Sequence, residues 1–218
     1  MSPDNGQIVT GLILERRSVR GGFTKQEVTR EIIEQILECG NNAPSSKNSQ
    51  PWKYYVVTDV KMLEKIATTM TQADGVVDFR PLDPRTGKRR TGYVSTVIES
   101  AGILRSVPLA IFLENRGTFM SSRADVWRAE ESIRAGAVVG LSLDYLGLGM
   151  CVCNMWLAGQ AHGLCGVFMA DVLIAEDFIK DMLGIKGDLV GVLCLGYSDM
   201  TPRPKRTNRN NAVWHVGT

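Results

Sequence analysis

The sequence predicts an α+β fold, helices packed on a modest sheet, and three observations carry that prediction. Val28, Ile32, Ile33, Ile36 and Leu37 recur at helical spacing, with Glu31, Glu34 and Gln35 on the opposite face. Two continuous apolar runs, Val107 to Leu113 and Leu189 to Leu195, suit buried strands. Between them lies a long helix over about Arg123 to Leu146, rich in small residues such as Ala135, Gly136, Ala137 and Gly140. Glycines lower helix propensity, and close approach by a neighbouring helix is the compensating gain, either in the core or across a dimer.

The elements follow in chain order. Thr24 and Glu27 are spaced as a capping box, with Phe23 and Val28 as a hydrophobic staple, and Gly40 is the natural stop of this first helix. Tyr54-Tyr55-Val56-Val57 reads as a strand and Lys61 to Met70 as a helix. Thr71 to Gly92 is irregular and carries Arg80, Arg85, Lys88, Arg89 and Arg90; a loop of that length is usually functional or mobile. The strand at Val107 to Leu113 tolerates its early proline because a first residue need not donate. Glu176 to Leu183 forms a short helix stopped by Gly184, and the last strand ends at Gly196. The tail from Pro202 is basic and polar.

Composition narrows the classes of function. With 218 residues, 44% hydrophobic and 22% charged, the chain suits one globular domain over 1–218. Basic and acidic residues nearly cancel, 25 against 23, which gives no reason to expect a nucleic-acid partner. The cations instead bunch at 16–20, 80–90 and 203–209, a pattern of local anion sites. Five cysteines without a disulfide spacing fit a reducing compartment, and no secretory leader pattern surrounds Ile8 to Leu14, so a cytoplasmic location is expected. The apolar stretch Ala135 to Trp156 contains Asp144 and a Gly-Leu-Gly break, which predicts a buried helix running into a loop rather than a membrane span.

Two short stretches carry the chemistry. Arg16, Arg17, Ser18 and Arg20 put three guanidinium groups and a hydroxyl into five residues. Planar guanidinium groups grip phosphate oxygens in pairs; the alternative is a solvated basic turn beside Glu15. Pro44, Ser45, Ser46, Lys47 and Asn48 form a loop of donors and acceptors, pinned by Trp52, that matches the alternating groups of a flavin ring edge. Its alternative is an ordinary loop of turn formers. The helix between the two stretches separates them by about 20 Å or more. One small ligand therefore meets both only if the chain turns back or a second subunit supplies one of them, which favours a dimer. Cys151, Cys153, His162 and Cys165 lack metal-site spacing and read as buried apolar thiols, so no metal is expected. The 80–90 loop offers a site for the 2′-phosphate of NADPH or a solvated basic loop, and the composition leans to the latter.

The order Arg-Arg-Ser-Val-Arg, capped helix, Ala-Pro-Ser-Ser-x-Asn-x-Gln-Pro-Trp resembles the opening of the nitroreductase superfamily of flavin enzymes. The resemblance continues in Leu146-Gly147-Leu148-Gly149 and in Gly196-Tyr197 followed by Pro204-Lys205-Arg206, so it runs from residue 16 to residue 206. It implies a central, mostly antiparallel sheet flanked by helices, in an intertwined homodimer with FMN at the subunit interface. Arg16, Arg17, Ser18 and Arg20 match residues that hold the FMN phosphate and ribityl chain. Lys205 and Arg206 match a basic pair closing on the same phosphate, with Arg203 a small register shift away. Pro44, Ser45, Ser46 and Asn48 match residues reaching the flavin from the other subunit. Cys153, Asn154 and Met155 match the stretch whose backbone passes the flavin N5 edge, although the best-known members have an acidic residue and Gly at the last two positions. Residues from about 72 to 106 correspond to a variable insertion covering the active site.

The implied activity transfers hydride from NADH or NADPH through flavin N5 to a small electrophilic acceptor, nitroaromatic or quinone-like. The flavin carries the chemistry, so no catalytic side chain is nominated. Other flavin reactions on the same scaffold, namely dehydrogenation, reductive dehalogenation or flavin breakdown, share the cofactor motifs. A non-enzymatic flavin- or nucleotide-binding protein is the alternative from outside that class.

Overall fold

Strand pairing organises the molecule, a computed structural model that describes residues 4–117, 122–202, 204 and 215. Four antiparallel strands, β1 (Trp52–Val57), β2 (Leu109–Asn115), β3 (Cys165–Met169) and β4 (Asp188–Gly196), stand in the order β1-β2-β4-β3. Every residue of β2 is buried, and its alternate side chains serve two separate cores. Ala110 and Phe112 join one cluster, Leu109, Ile111 and Leu113 the other. The continuous apolar runs in the sequence thus reflect a sheet covered on both faces.

Helices α3 (Val60–Gln72), α4 (Thr96–Ser106) and α7 (Glu176–Leu183) cover the first face, and α2 (Arg30–Asn41) with α6 (Glu131–Ala161) cover the second. The expected helices at 61–70 and 176–183 are present, and Gly184 ends α7 with φ +71°. The helix α1 (Asn5–Glu15) was not foreseen: it buries no residue and lacks a strongly one-sided pattern. Nor was α4, which is capped by Ser95 and buries Val97, Ala101, Ile103 and Leu104; it forms the end of the stretch expected as a covering insertion.

Two helix boundaries differ from expectation for physical reasons. The apolar face of α2 is as predicted, but the helix begins at Arg30, where the Thr29 hydroxyl accepts from the Ile32 amide at 3.5 Å. Thr24 forms no capping box, because its amide is drawn to the Tyr197 carbonyl at 2.9 Å. Gly40 lies within the helix rather than ending it: a Cβ there would stand 2.7 Å from Met155 Cγ, so it permits close approach of α2 and α6.

The expected 123–146 helix is instead two, α5 (Arg123–Arg128) and α6. The latter runs through Leu146-Gly147-Leu148-Gly149 for 31 residues and ends before Gly163, with φ +76°. A helical glycine costs only about 1 kcal/mol, and at Gly147 the packing of the 44–51 loop offsets it. By length and composition α6 is apolar enough to cross a membrane, yet it packs on α2 and the sheet, with 39% of its apolar window buried.

Candidate functional site: a cavity between the arginine segment and β3

Residues after α1 run along the outer edge of β3. Ser18 pairs with Gly166 in a parallel bridge, and the Val19 amide donates to the Gly166 carbonyl at 2.9 Å. Glycine is required at 166, where a Cβ would collide with the Cys194 carbonyl oxygen. The segment then turns at Gly22 and pairs with the stretch after β4, the Asp199 amide donating to the Gly22 carbonyl at 3.0 Å. This pairing brings Met200, Thr201, Pro202 and Pro204 against the same wall.

The result is a cavity of about 1230 Å³. Residues 16–20 form one side, Val167 to Asp171 a second, and the α4 residues Thr96, Glu99, Ser100 and Ile103 a third. Small-molecule sites typically occupy about 300–1,000 Å³, so the space accommodates a cofactor together with a second ring-bearing molecule. Charge is segregated: arginines line one side, while Asp171 on the other accepts from Ser100 Oγ at 2.6 Å and Thr96 Oγ1 at 3.0 Å. Those two bonds tie α4 to the turn that follows β3.

The arginines are not equivalent. The Arg16 guanidinium stacks over the Trp156 ring at 4.4 Å, and its buried Nη1 has no hydrogen-bond partner among the described residues. A buried donor left unpaired costs about 1–3 kcal/mol or more. Arg17 Nη1 donates to the Leu14 carbonyl at 2.7 Å and so closes the last turn of α1. Arg20 is exposed at the cavity wall. This donor set fits the phosphate of a flavin nucleotide.

The Pro44–Trp52 loop stands elsewhere. Ser45 Oγ accepts from the Gln50 amide at 3.0 Å, Asn48 Oδ1 accepts from Gln50 Nε2 at 3.1 Å, and Trp52 Nε1 donates to Asn41 at 3.2 Å. Lys47, Asn48 and Gln50 all adopt left-handed backbone angles, a concentration of strain found at ligand-binding loops. The loop rests on α6 at Gly147, nine residues before Trp156, so about 14 Å of helix lies between it and Arg16. Pro44, Ser45, Ser46 and Asn48 therefore do not line the cavity of their own chain.

Cys153, Asn154 and Met155 are also apart from it. They belong to α6, where Asn154 Nδ2 donates to the Cys39 carbonyl at 3.2 Å and Met155 packs against Gly40. In their place Val167 to Ala170 border the cavity. The sequence reading foresaw no strand over β3, so it missed this part of the cavity wall; Gly163, the true end of α6, was the usable signal. Lys205, Arg206 and Arg203 lie outside the described residues. Of the cysteines, Cys151 and Cys194 are buried while Cys153, expected inside, is exposed. Burial pushes the Cys151 thiol up to about 11. Among the described residues no three His, Cys, Asp or Glu side chains form a metal-binding group.

Comparison with known proteins adds to this geometry. The family model described as Nitroreductase family matches residues 13–197. Nitrobenzene nitroreductase of Ectopseudomonas oleovorans is 42% identical over 65 residues, 30% of this chain and 28% of that protein's length. A longer match, 28% identical over 186 residues, covers 84% of this chain and 78% of the 5,6-dimethylbenzimidazole synthase of Rhodospirillum rubrum. The fold is that of a BluB-like flavoprotein from Clostridium difficile 630, with a TM-score of 0.67 at 19% identity, covering 92% of this chain and 94% of the other.

Proposed function

The chain belongs to the nitroreductase family, and on that premise we propose that it is an FMN-dependent oxidoreductase. Its net reaction moves two electrons from NAD(P)H to a small electrophilic acceptor, nitroaromatic or quinone-like. The observation that carries the proposal is the cavity of about 1230 Å³ lined by Arg16, Arg17, Ser18 and Arg20, a cluster of cations and a hydroxyl facing one space.

FMN supplies the two-electron redox chemistry. Arg16 and Arg20 hold its phosphate, Ser18 adds a hydroxyl donor, and Arg17 contributes while closing α1. Lys205 and Arg206, which follow the cavity-lining Pro204 in sequence, are further cations proposed for the same phosphate. The backbone of Val167 to Ala170 takes the place beside the ring that the sequence suggested for Cys153 to Met155. Asp171 is held by two hydroxyls, which fixes the α4 wall of the acceptor space.

The protein works as a homodimer in which Pro44, Ser45, Ser46 and Asn48 of each subunit serve the neighbouring subunit's cofactor. Support comes from the apolar surface left open on one chain. Ile8, Val9, Ile13 and Leu14 of α1 are exposed, as are Val139, Leu146 and Met150 of α6. Gly136 and Gly149 have open space where a side chain would stand, as a helix prepared for a close partner requires.

Anaerobic addition of NADH or NADPH to the FMN-loaded protein tests the proposal: the flavin's visible absorbance should bleach and return on adding a nitroaromatic or quinone. Protein that takes up no FMN overturns the reading. A second reading, another reaction on the same cofactor, is favoured by the 84% coverage of this chain in the match to a protein named as a synthase. A yellow protein that neither NADH nor NADPH bleaches would overturn the reductase reading and favour that alternative.

A further inference from the structure

The basic stretch after α3 folds into a hairpin. Leu82 bridges Arg89, the Arg90 amide donates to the Pro81 carbonyl at 2.9 Å, and the Asp83 amide donates to the Lys88 carbonyl at 2.8 Å. Asp83 Oδ1 accepts from the amides of Arg85 and Thr86, which shapes the tip. The hairpin lies against the cavity: Thr96, on its wall, shares its one hydroxyl proton between Asp171 and the Phe79 carbonyl at 3.1 Å, one residue before the basic run begins.

Five cations, Arg80, Arg85, Lys88, Arg89 and Arg90, stand on this element. Among the described residues only Arg89 forms an ion pair, with Asp78 at 3.4 Å. Lys88, Arg89, Arg90, Thr86 and Tyr93 surround a second cavity of about 340 Å³, whose one carboxylate, Asp83, is engaged by backbone amides. Arg90 lies over the Tyr93 ring at 5.6 Å, and that ring is 53% exposed. A flat aromatic face beside several cations suits a planar base carrying a phosphate dianion.

We propose that this hairpin cavity binds the adenosine 2′-phosphate end of NADPH, making NADPH rather than NADH the electron donor. The inference rests on the oxidoreductase reading above and names its donor. The ribose phosphate meets Lys88 and Arg90, while Tyr93 offers a stacking face to adenine.

The test uses the full FMN-loaded chain and a Lys88→Ala, Arg90→Ala double variant. Adenosine 2′,5′-bisphosphate, titrated calorimetrically, should bind the parent about tenfold or more tightly than adenosine 5′-phosphate, and the variant should lose that difference. The ratio of kcat/KM for NADPH to that for NADH should fall by about tenfold or more in the variant. Equal binding of the two nucleotides by the parent overturns the inference. So does an unchanged coenzyme ratio, or competition by inorganic phosphate as effective as by the bisphosphate. If the protein takes up no FMN, the oxidoreductase reading fails instead, and the nucleotide titration still decides the hairpin.

Discussion

Arg17 donates to the Leu14 carbonyl, whereas Arg16 stacks on Trp156 and leaves a buried donor without a hydrogen-bond partner among the described residues. Replacing Arg16 and Arg20 together with Ala should weaken FMN binding by about tenfold or more, read by titrating FMN into stripped protein; unchanged occupancy refutes the phosphate assignment. The cluster was legible because three neighbouring cations need an anion, but the division of labour within it depends on where α1 ends. Burial acts on Cys151 in another way, raising its thiol from 9.0 to about 11. The folded state then holds a proton that the unfolded chain releases first, so this contribution is complete below pH 9 and is lost as pH rises from about 9 to 11. Urea midpoints measured across that range should fall, and fall less steeply for Cys151→Ala. A thiol reagent should modify exposed Cys39 and Cys153 in the native protein while sparing Cys151 and Cys194 until it unfolds.

At the scale of elements, α6 fixes the spacing of the molecule, carrying the 44–51 loop at Gly147 and Arg16 at Trp156. Its seam with α2 depends on Gly40, and Gly40→Ala should destabilise the fold by about 1–3 kcal/mol, seen as a lower urea midpoint with an unchanged m-value. Three of the four strands, α3 and α7 were readable from apolar runs and periodicity because burial on defined faces leaves a pattern, whereas β3 was not foreseen. The start of α2 was not, since pairing of Thr24 with Tyr197 is invisible to local sequence. The length of α6 was misjudged because its glycines signal packing partners rather than a stop.

The whole molecule leaves apolar surface along α1 and α6 that one chain does not cover. Leu146→Glu with Met150→Lys should convert a dimer to monomers in analytical ultracentrifugation, and FMN should be lost in parallel if the neighbouring subunit's loop completes the site. Wild-type protein that sediments as a monomer removes the dimer from the proposal. The distance between the two motifs already pointed to a second subunit at the sequence level, whereas the surface proposed to meet it was not legible, since α1 carries no clear pattern. Order of synthesis adds one consequence of the pairing between residues 22–24 and 197–199. A ribosome makes the arginine segment early and the residues after β4 late, yet both enclose the cavity. The nascent chain can assemble its helices while still tethered, but the pocket is closed only once the final stretch has emerged. Cofactor loading therefore waits until the residues after β4 are made, and a chain cut after Gly196 would keep its sheet while losing one rim of the pocket.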